Sequence, residues 1–232
     1  MSDAPDDRTW DAARSLLRAP EETTRLRGIH ALRDDVADHG VAASTLVGAL
    51  MDTGSYVPHA ARAALQDLGA DALPALLLGL RSDASAVRAG CAWALAREQS
   101  EDVATEIAML ARDTEMPVRE AAAGALGRIG GPTAERESAL VRLAADAEPR
   151  VRTQAVQSLG LLFARSDTGR QALSAALEDS RPAVRIAAAE ALAAVAPSAD
   201  LVADVQRALD EEPSEHVAMP LRALLERWRL AT

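Results

Sequence analysis

One spacing of apolar residues recurs along the chain and predicts a series of helices. After a valine, further apolar residues follow four and eight positions later, as in Val118, Ala122 and Leu126. A helix of 3.6 residues per turn places these positions on one side. A second apolar run with helical spacing comes before each valine, such as Ile107 with Leu110 before Val118. The unit is therefore a pair of amphipathic helices, A and then B, joined by a turn.

The helix pair recurs about seven times. Its clearest copies contain an Asp, a short turn that often holds proline, Val-Arg, and a Leu eight residues after the Val; they start at Asp113, Asp146 and Asp179, with a shorter turn from Asp83. The valine position recurs at 24 (as threonine), 57, 87, 118, 151, 184 and 217. Such a period predicts a repeat array. We expect one domain over 1–232, with approximate repeat limits of 6–39, 41–69, 71–98, 100–130, 132–164, 167–196 and 198–230.

The repeated Asp, Val-Arg, Ala and Leu pattern resembles the short HEAT-like repeat of phycobilisome bilin lyases, across essentially the whole chain. The resemblance implies an all-α, right-handed α-α superhelix of about seven helix pairs, in which neighbouring repeats bury a continuous core. It also implies a hydrogen-bonded ladder that joins the Asp of one repeat to the Arg of the same or the next repeat. The expected ladder residues are Asp83, Arg88, Asp113, Arg119, Asp146, Arg152, Asp179 and Arg185. Pro58 and Ala218 replace the Arg in two repeats, where we expect an interruption.

Composition and charge limit which binding partners and which cellular compartment are expected. The chain has 35 acidic and 25 basic residues, and a formal charge of -10 opposes binding to phosphate backbones, so we expect no nucleic-acid partner. The absence of Lys and Asn indicates a GC-rich host, and the acidic excess is typical of a salt-adapted one. The acidic start is unlike a signal peptide, and no apolar run reaches the roughly 20 residues that span a bilayer. We therefore predict a cytoplasmic protein without a membrane partner, and a monomer.

Candidate catalytic groups are few and scattered. The four histidines lack the repeated His-Glu dipeptides with which the deoxyhypusine hydroxylase type of HEAT-like protein holds iron, so we expect neither metal nor cofactor. Cys91 falls on the apolar side of its helix, which predicts a buried side chain rather than a nucleophile. The sequence thus favours a protein that is not an enzyme. Two alternatives stay open: an accessory subunit or lyase-like chaperone for cofactor attachment, and a nucleic-acid clamp, which the charge disfavours.

On the side opposite the apolar stripe, the B helices carry mostly small and apolar residues. In the family this side is concave, and a smooth surface with one tryptophan suits a protein segment. We expect a scaffold or adaptor that binds a protein of a signalling, motility or assembly system there. Trp93 is the leading contact residue, with packing between repeats as its alternative role. The candidate binding residues are His59, Trp93, Arg97, Glu120, Arg128, Thr153, Gln157, Ile186 and Glu190. Trp10 and Trp228 are expected to cover the two ends of the core.

Overall fold

The structure, a computed structural model, describes residues 7–129 and 131–230, with the backbone alone at Asp7. The predicted repeat limits at residues 6 and 130 lie outside the described residues. In the described ranges the regular structure consists of fourteen α-helices and short 3-10 segments, without a strand. The helices form seven consecutive A–B pairs, so the predicted all-α fold class is confirmed.

The A helices are α1 (Asp7–Leu16), α3 (His39–Ala49), α5 (Leu73–Gly79), α7 (Glu101–Met109), α9 (Ala134–Ala144), α11 (Asp167–Ala176) and α13 (Ala199–Asp210). The B helices are α2 (Glu22–Asp34), α4 (Val57–Leu68), α6 (Ser85–Ala94), α8 (Met116–Leu126), α10 (Pro149–Leu162), α12 (Pro182–Leu192) and α14 (Glu215–Arg229).

The chain divides into two compact units, residues 1–107 and 108–232. Within the first unit, α4 packs against both α2 and α6, and α3 packs against α5. Within the second unit, α10 packs between α8 and α12, and α12 also contacts α14. In the second unit, α10 also packs against α9, α12 against α11, and α14 against α13, so each of these B helices contacts the A helix of its own pair. Each unit is thus held together by contacts between neighbouring helices, as expected for repeat proteins.

The core of each unit follows the apolar frame of the sequence. The leucines eight residues after the frame valines are all buried: Leu65, Leu95, Leu126, Leu159, Leu192 and Leu225. The positions four residues after the valine are buried as well, mostly as alanine. Because these side chains are small, neighbouring B helices approach closely. A Cβ atom added to Gly160 of α10 would lie 2.4 Å from the Cβ of Ala191 on α12, so this contact requires glycine.

The two expected end tryptophans are both anchored by their indole N–H groups. Trp228 is buried, and its Nε1 donates to the carbonyl oxygen of Val195 at 3.0 Å. Trp10 of α1 is half-buried, and its Nε1 donates to Thr45 Oγ1 of α3 at 3.1 Å. A tryptophan N–H usually finds such an acceptor when its ring is buried.

Candidate functional site

An arginine ladder connects successive repeats inside each unit. In the second unit Arg152 donates from Nε and Nη2 to the two carboxylate oxygens of Asp179, at 2.6 and 2.8 Å. Arg119 binds Asp146 with the same geometry. The third guanidinium nitrogen of Arg152 donates to the carbonyl oxygens of Asp146 and Ala147 in its own turn. Each rung therefore ties two turns together, from the Arg of one repeat to the acid of the next.

Two further rungs include Arg25, Asp52 and Glu212, which were not predicted as ladder residues, whereas Arg185 was. Arg25 binds Asp52 in the first unit, and Arg185 binds Glu212 in the second, again through Nε and Nη2. In each of these four rungs the acid lies 27 residues after the arginine. Glu212 was missed because the motif was defined by Asp.

The ladder carboxylates are held in their charged form. Burial raises the pKa of Asp146 and of Asp179, but the hydrogen bonds from Arg119 and Arg152, the backbone N–H bonds and the nearby arginine charges together outweigh it and lower both pKa values. The acid also accepts the backbone N–H two residues later, as Asp179 does from Arg181 at 2.8 Å. Bidentate, charge-assisted bonds of this kind are among the strongest in proteins. These residues therefore have a structural explanation that needs no catalytic role.

The structure places Ser82, and not Asp83, at the acid position of its turn. Every ladder arginine donates to the carbonyl oxygen six residues before it, and for Arg88 that residue is Ser82. Ser82 Oγ also accepts the N–H of Ala84, as the ladder acids do in their own turns. Asp83 is exposed one position further on. The turn is shorter here, so counting six residues back from the arginine would have located the correct position.

Arg136 is a buried arginine that no repeat pattern indicated. It lies on α9, fully buried, and donates to the carbonyl oxygens of Leu126, Ile129 (2.6 Å) and Gly131. Burial lowers the pKa of Arg136. Its guanidinium satisfies carbonyl oxygens that the end of α8 leaves without helical partners. Its role in the described structure is to join α8 to α9.

The second unit has an open cleft across the B helices α8, α10 and α12. This B-face cleft has a volume of about 400 Å³. Its small lining residues are Gly124, Gly127, Gly160, Ala187, Ala191 and Ala194. Its larger lining residues are Arg128, Gln154, Gln157, Ser158, Leu161 and Glu190. Leu161 is 74% exposed, which is unusual for a leucine and leaves an apolar side chain in water at the cleft.

The cleft brings together three of the predicted binding residues, Arg128, Gln157 and Glu190. Glu120, Thr153 and Ile186 are half-buried and do not line it; Glu120 instead lies 3.3 Å from Arg150.

Leu161 was not predicted, although a signal for it existed. It stands ten residues after its frame valine, the same position as Arg97 and Arg128 in their repeats.

The other predicted residues lie in the first unit. His59 is exposed, and its Nδ1 accepts from Arg62 Nη2 at 2.8 Å. Arg97 is exposed. Trp93 is half-buried, and its carbonyl oxygen accepts from Gln66 Nε2 at 3.1 Å. The three first-unit clefts next to α3 are lined by none of these three residues.

The side chains with catalytic potential are the thiol of Cys91 and the groups that could bind a metal ion. Cys91 is fully buried, and burial raises the pKa of its thiol to about 12. Across residues 7–129 and 131–230, no three His, Cys, Asp or Glu side chains are grouped so that they could hold a metal ion. Across the same residues, no helix has both the length and the apolar character needed to cross a membrane.

The repeats of this chain match the model of a known protein family. The family model for HEAT repeats matches residues 73–139 and 137–225, which is more than half of the chain. The chain belongs to the HEAT-repeat family. This confirms the family that the sequence pattern indicated. No curated protein sequence matches the chain.

Several solved structures share the fold of this HEAT-repeat protein. An engineered protein is 21% identical, with a TM-score of 0.55 over 95% of this chain and 68% of that one. Kap95p, the yeast importin-β, is 15% identical, with a TM-score of 0.64 over 94% of this chain. The match spans only 36% of the importin. The complex of CpcE and CpcF of phycocyanin lyase from Nostoc is 20% identical over 98% and 97% of the two chains, with a TM-score of 0.46.

Proposed function

We propose that this HEAT-repeat protein is a non-catalytic scaffold that binds a protein partner along its B-helix face. The observation that carries the proposal is the B-face cleft, with Leu161 exposed beside a lining of glycine and alanine. Complete burial of a leucine side chain contributes about 1.5–3 kcal/mol, so a partner that covers Leu161 gains affinity from it. The glycines and alanines let a partner's backbone or aliphatic side chain come close.

The polar residues of the cleft can fix the orientation of a bound protein segment. Arg128 on the α8 side and Glu190 on α12 are both exposed and have opposite charges. Gln157 of α10 offers both a donor and an acceptor. A protein segment that crosses the B helices can therefore match an apolar residue to Leu161 and polar residues to its surroundings.

The open form of the cleft favours a protein segment over a small molecule. Small-molecule sites generally bury most of the ligand, whereas Gln157, Leu161 and Glu190 are all exposed here. A protein surface can cover such an open face because it contributes area on both sides of the cleft. One structural neighbour, Kap95p, is described as binding RanGDP, which is a protein. The fold is thus compatible with a partner of this class.

The test is capture of partners from the native host with the wild-type chain and two variants. Leu161→Arg places a charge in the cleft, and Leu78→Arg changes a leucine of equal exposure on α5, at 75%. We expect proteins captured by the wild type to be lost with Leu161→Arg and retained with Leu78→Arg. Retention by both variants would contradict binding at the B-face cleft. Far-UV circular dichroism of each variant establishes that its helices are intact.

A further inference from the structure

A groove on the A-helix side of the first unit is separate from the B-face cleft. Two open cavities of about 620 and 410 Å³ share Arg14, Thr45 and Gly48 in their linings, so they adjoin each other between α1 and α3. We call the two together the α1–α3 groove. One side is formed by Trp10 and Arg14 of α1 with Leu17 and Arg18 just after it, and the other side follows α3, from Asp38 just before the helix to Asp52 in the turn after it.

The α1 side of the groove presents two arginines, of which Arg14 is held against an aromatic ring. Arg14 lies over the ring of Trp10, 4.9 Å from its centroid, and Trp10 is itself anchored to Thr45. Arg14 and Arg18 are both exposed, and neither forms an ion pair within the described ranges. A cation held on an aromatic ring has fewer conformations to lose when it binds an anion.

The acids at the two ends of the groove are already engaged. Asp52 accepts both ladder bonds from Arg25, and Asp38 caps α3 by accepting the N–H of Val41. Asp52 is thus balanced by Arg25, whereas Asp38 keeps its charge, so the lining has Arg14 and Arg18 against one unpaired carboxylate, an excess of positive charge in a chain whose formal charge is -10. An acidic partner is attracted here and repelled by the excess acid elsewhere on the molecule.

The α3 side of the groove admits another helix. Gly40, Ser44 and Gly48 are exposed and follow one another at intervals of four residues, so they form one row along α3. A Cβ atom added to Gly48 would meet nothing within 4 Å. Met51, at the end of the groove, is 59% exposed and offers an apolar contact. Helices pack with their axes about 8–10 Å apart, and the shortest distances occur where the side chains at the contact are small. The row of small residues on α3 therefore allows a second helix to pack closely against it.

We propose that the α1–α3 groove binds an acidic amphipathic helix of a protein partner. Small or aliphatic residues of that helix lie on the row of α3. Two carboxylates one helical turn apart bind Arg14 and Arg18, which are separated by four residues. The apolar surface of Val41 and Met51 favours a helix over a nucleic acid, which would bring phosphates without an apolar face. This site does not depend on the B-face cleft.

The test uses a display library of helical peptides, selected on the full-length chain. Binding of the selected peptides is then measured for Gly48→Leu, which fills the groove, and for the double variant Arg14→Glu with Arg18→Glu. The matched controls are Gly48→Ala, which adds one methyl group, and Arg27→Glu, which reverses an exposed charge on α2. Circular dichroism and thermal unfolding establish that every variant folds. A labelled single-stranded DNA oligonucleotide is tested in parallel.

We expect the selected peptides to carry pairs of Asp or Glu one turn apart. We expect both groove variants to weaken their binding at least about tenfold, since each removes a central contact, while the controls stay within about twofold. A selection whose binders are not acidic, or are unaffected by Gly48→Leu, would overturn the proposal. Failure to select any binder that the groove variants block also counts against it. Tight DNA binding that Arg14→Glu with Arg18→Glu abolishes would replace the helix with a nucleic acid.

Discussion

Replacing Arg152 by methionine removes one complete rung of the ladder without leaving a large cavity. The arginine makes two bonds to Asp179 and two to carbonyl oxygens of its own turn. Methionine retains much of the aliphatic stem but donates none of these bonds. Asp179 keeps the N–H of Arg181 and loses its only bidentate partner. The variant therefore isolates the contribution of the rung.

The exposure of the pair sets the size of the effect. The side chains of Arg152 and Asp179 are 13% and 11% exposed. Fully exposed ion pairs contribute up to about 1 kcal/mol, whereas breaking a buried pair costs about 3–5 kcal/mol. This pair is closer to the buried case but still touches solvent, so we expect a loss of about 2–3 kcal/mol in the free energy of unfolding.

The assay is urea unfolding followed by circular dichroism, with Arg150→Met as the matched control. Arg150 is on the same helix, is 74% exposed, and lies 3.3 Å from Glu120. We expect the control to lose less than about 0.5 kcal/mol. A loss for Arg152→Met no larger than that of Arg150→Met would refute the structural role given to the ladder. The double variant with Asp179→Asn should lose less than the sum of the single variants, because both remove the same rung.

Three further predictions concern acid stability, the thiol and the buried arginine. The pKa values of Asp146 and Asp179 are lowered in the folded state, so their ionised carboxylates stabilise the fold above the unfolded Asp pKa of about 4. This stabilisation is lost as the pH falls through the folded pKa values. Urea midpoints measured across that pH range should therefore fall in the wild type and change less in Arg152→Met. Cys91, with a thiol pKa of about 12, should react with a disulfide reagent at neutral pH only when the chain is unfolded, and rapid labelling of the native protein would contradict its burial. Arg136→Leu should cost about 2–4 kcal/mol because it strips buried carbonyl oxygens of their donor, and an unchanged thermal midpoint would count against that role.

The sequence predicted the helices and the core because its apolar residues recur with the helical period. Val118, Ala122 and Leu126 lie on one side of α8 and are all buried, and the same frame identifies the core of the other repeats. The ladder was harder to locate from the motif alone. The motif assumes a turn of constant length, but the turn before Arg88 is shorter. The motif therefore selected Asp83, whereas Ser82 occupies the acid position of that turn. A motif written for Asp likewise overlooks Glu212.

Features that depend on a neighbouring helix could not be predicted from one repeat. Arg136 stands in a charged stretch that resembles a solvated surface, yet it is buried because the carbonyl oxygens at the end of α8 lie beside it. The α1–α3 groove combines Trp10 and Arg14 of one helix with Gly48 of another, and no periodicity relates them. Leu161 was overlooked because its position was considered only where it holds arginine.

The most direct test of the central proposal is photo-crosslinking from the B-face cleft in the native host. A photoreactive amino acid replaces Leu161 in one strain and Leu78 in another, two leucines with exposures of 74% and 75%. If the cleft binds a protein partner, irradiation gives a discrete crosslinked species from position 161 that is absent from position 78. The same crosslinks from both positions, or none from position 161, would contradict the proposal that this face binds a protein partner.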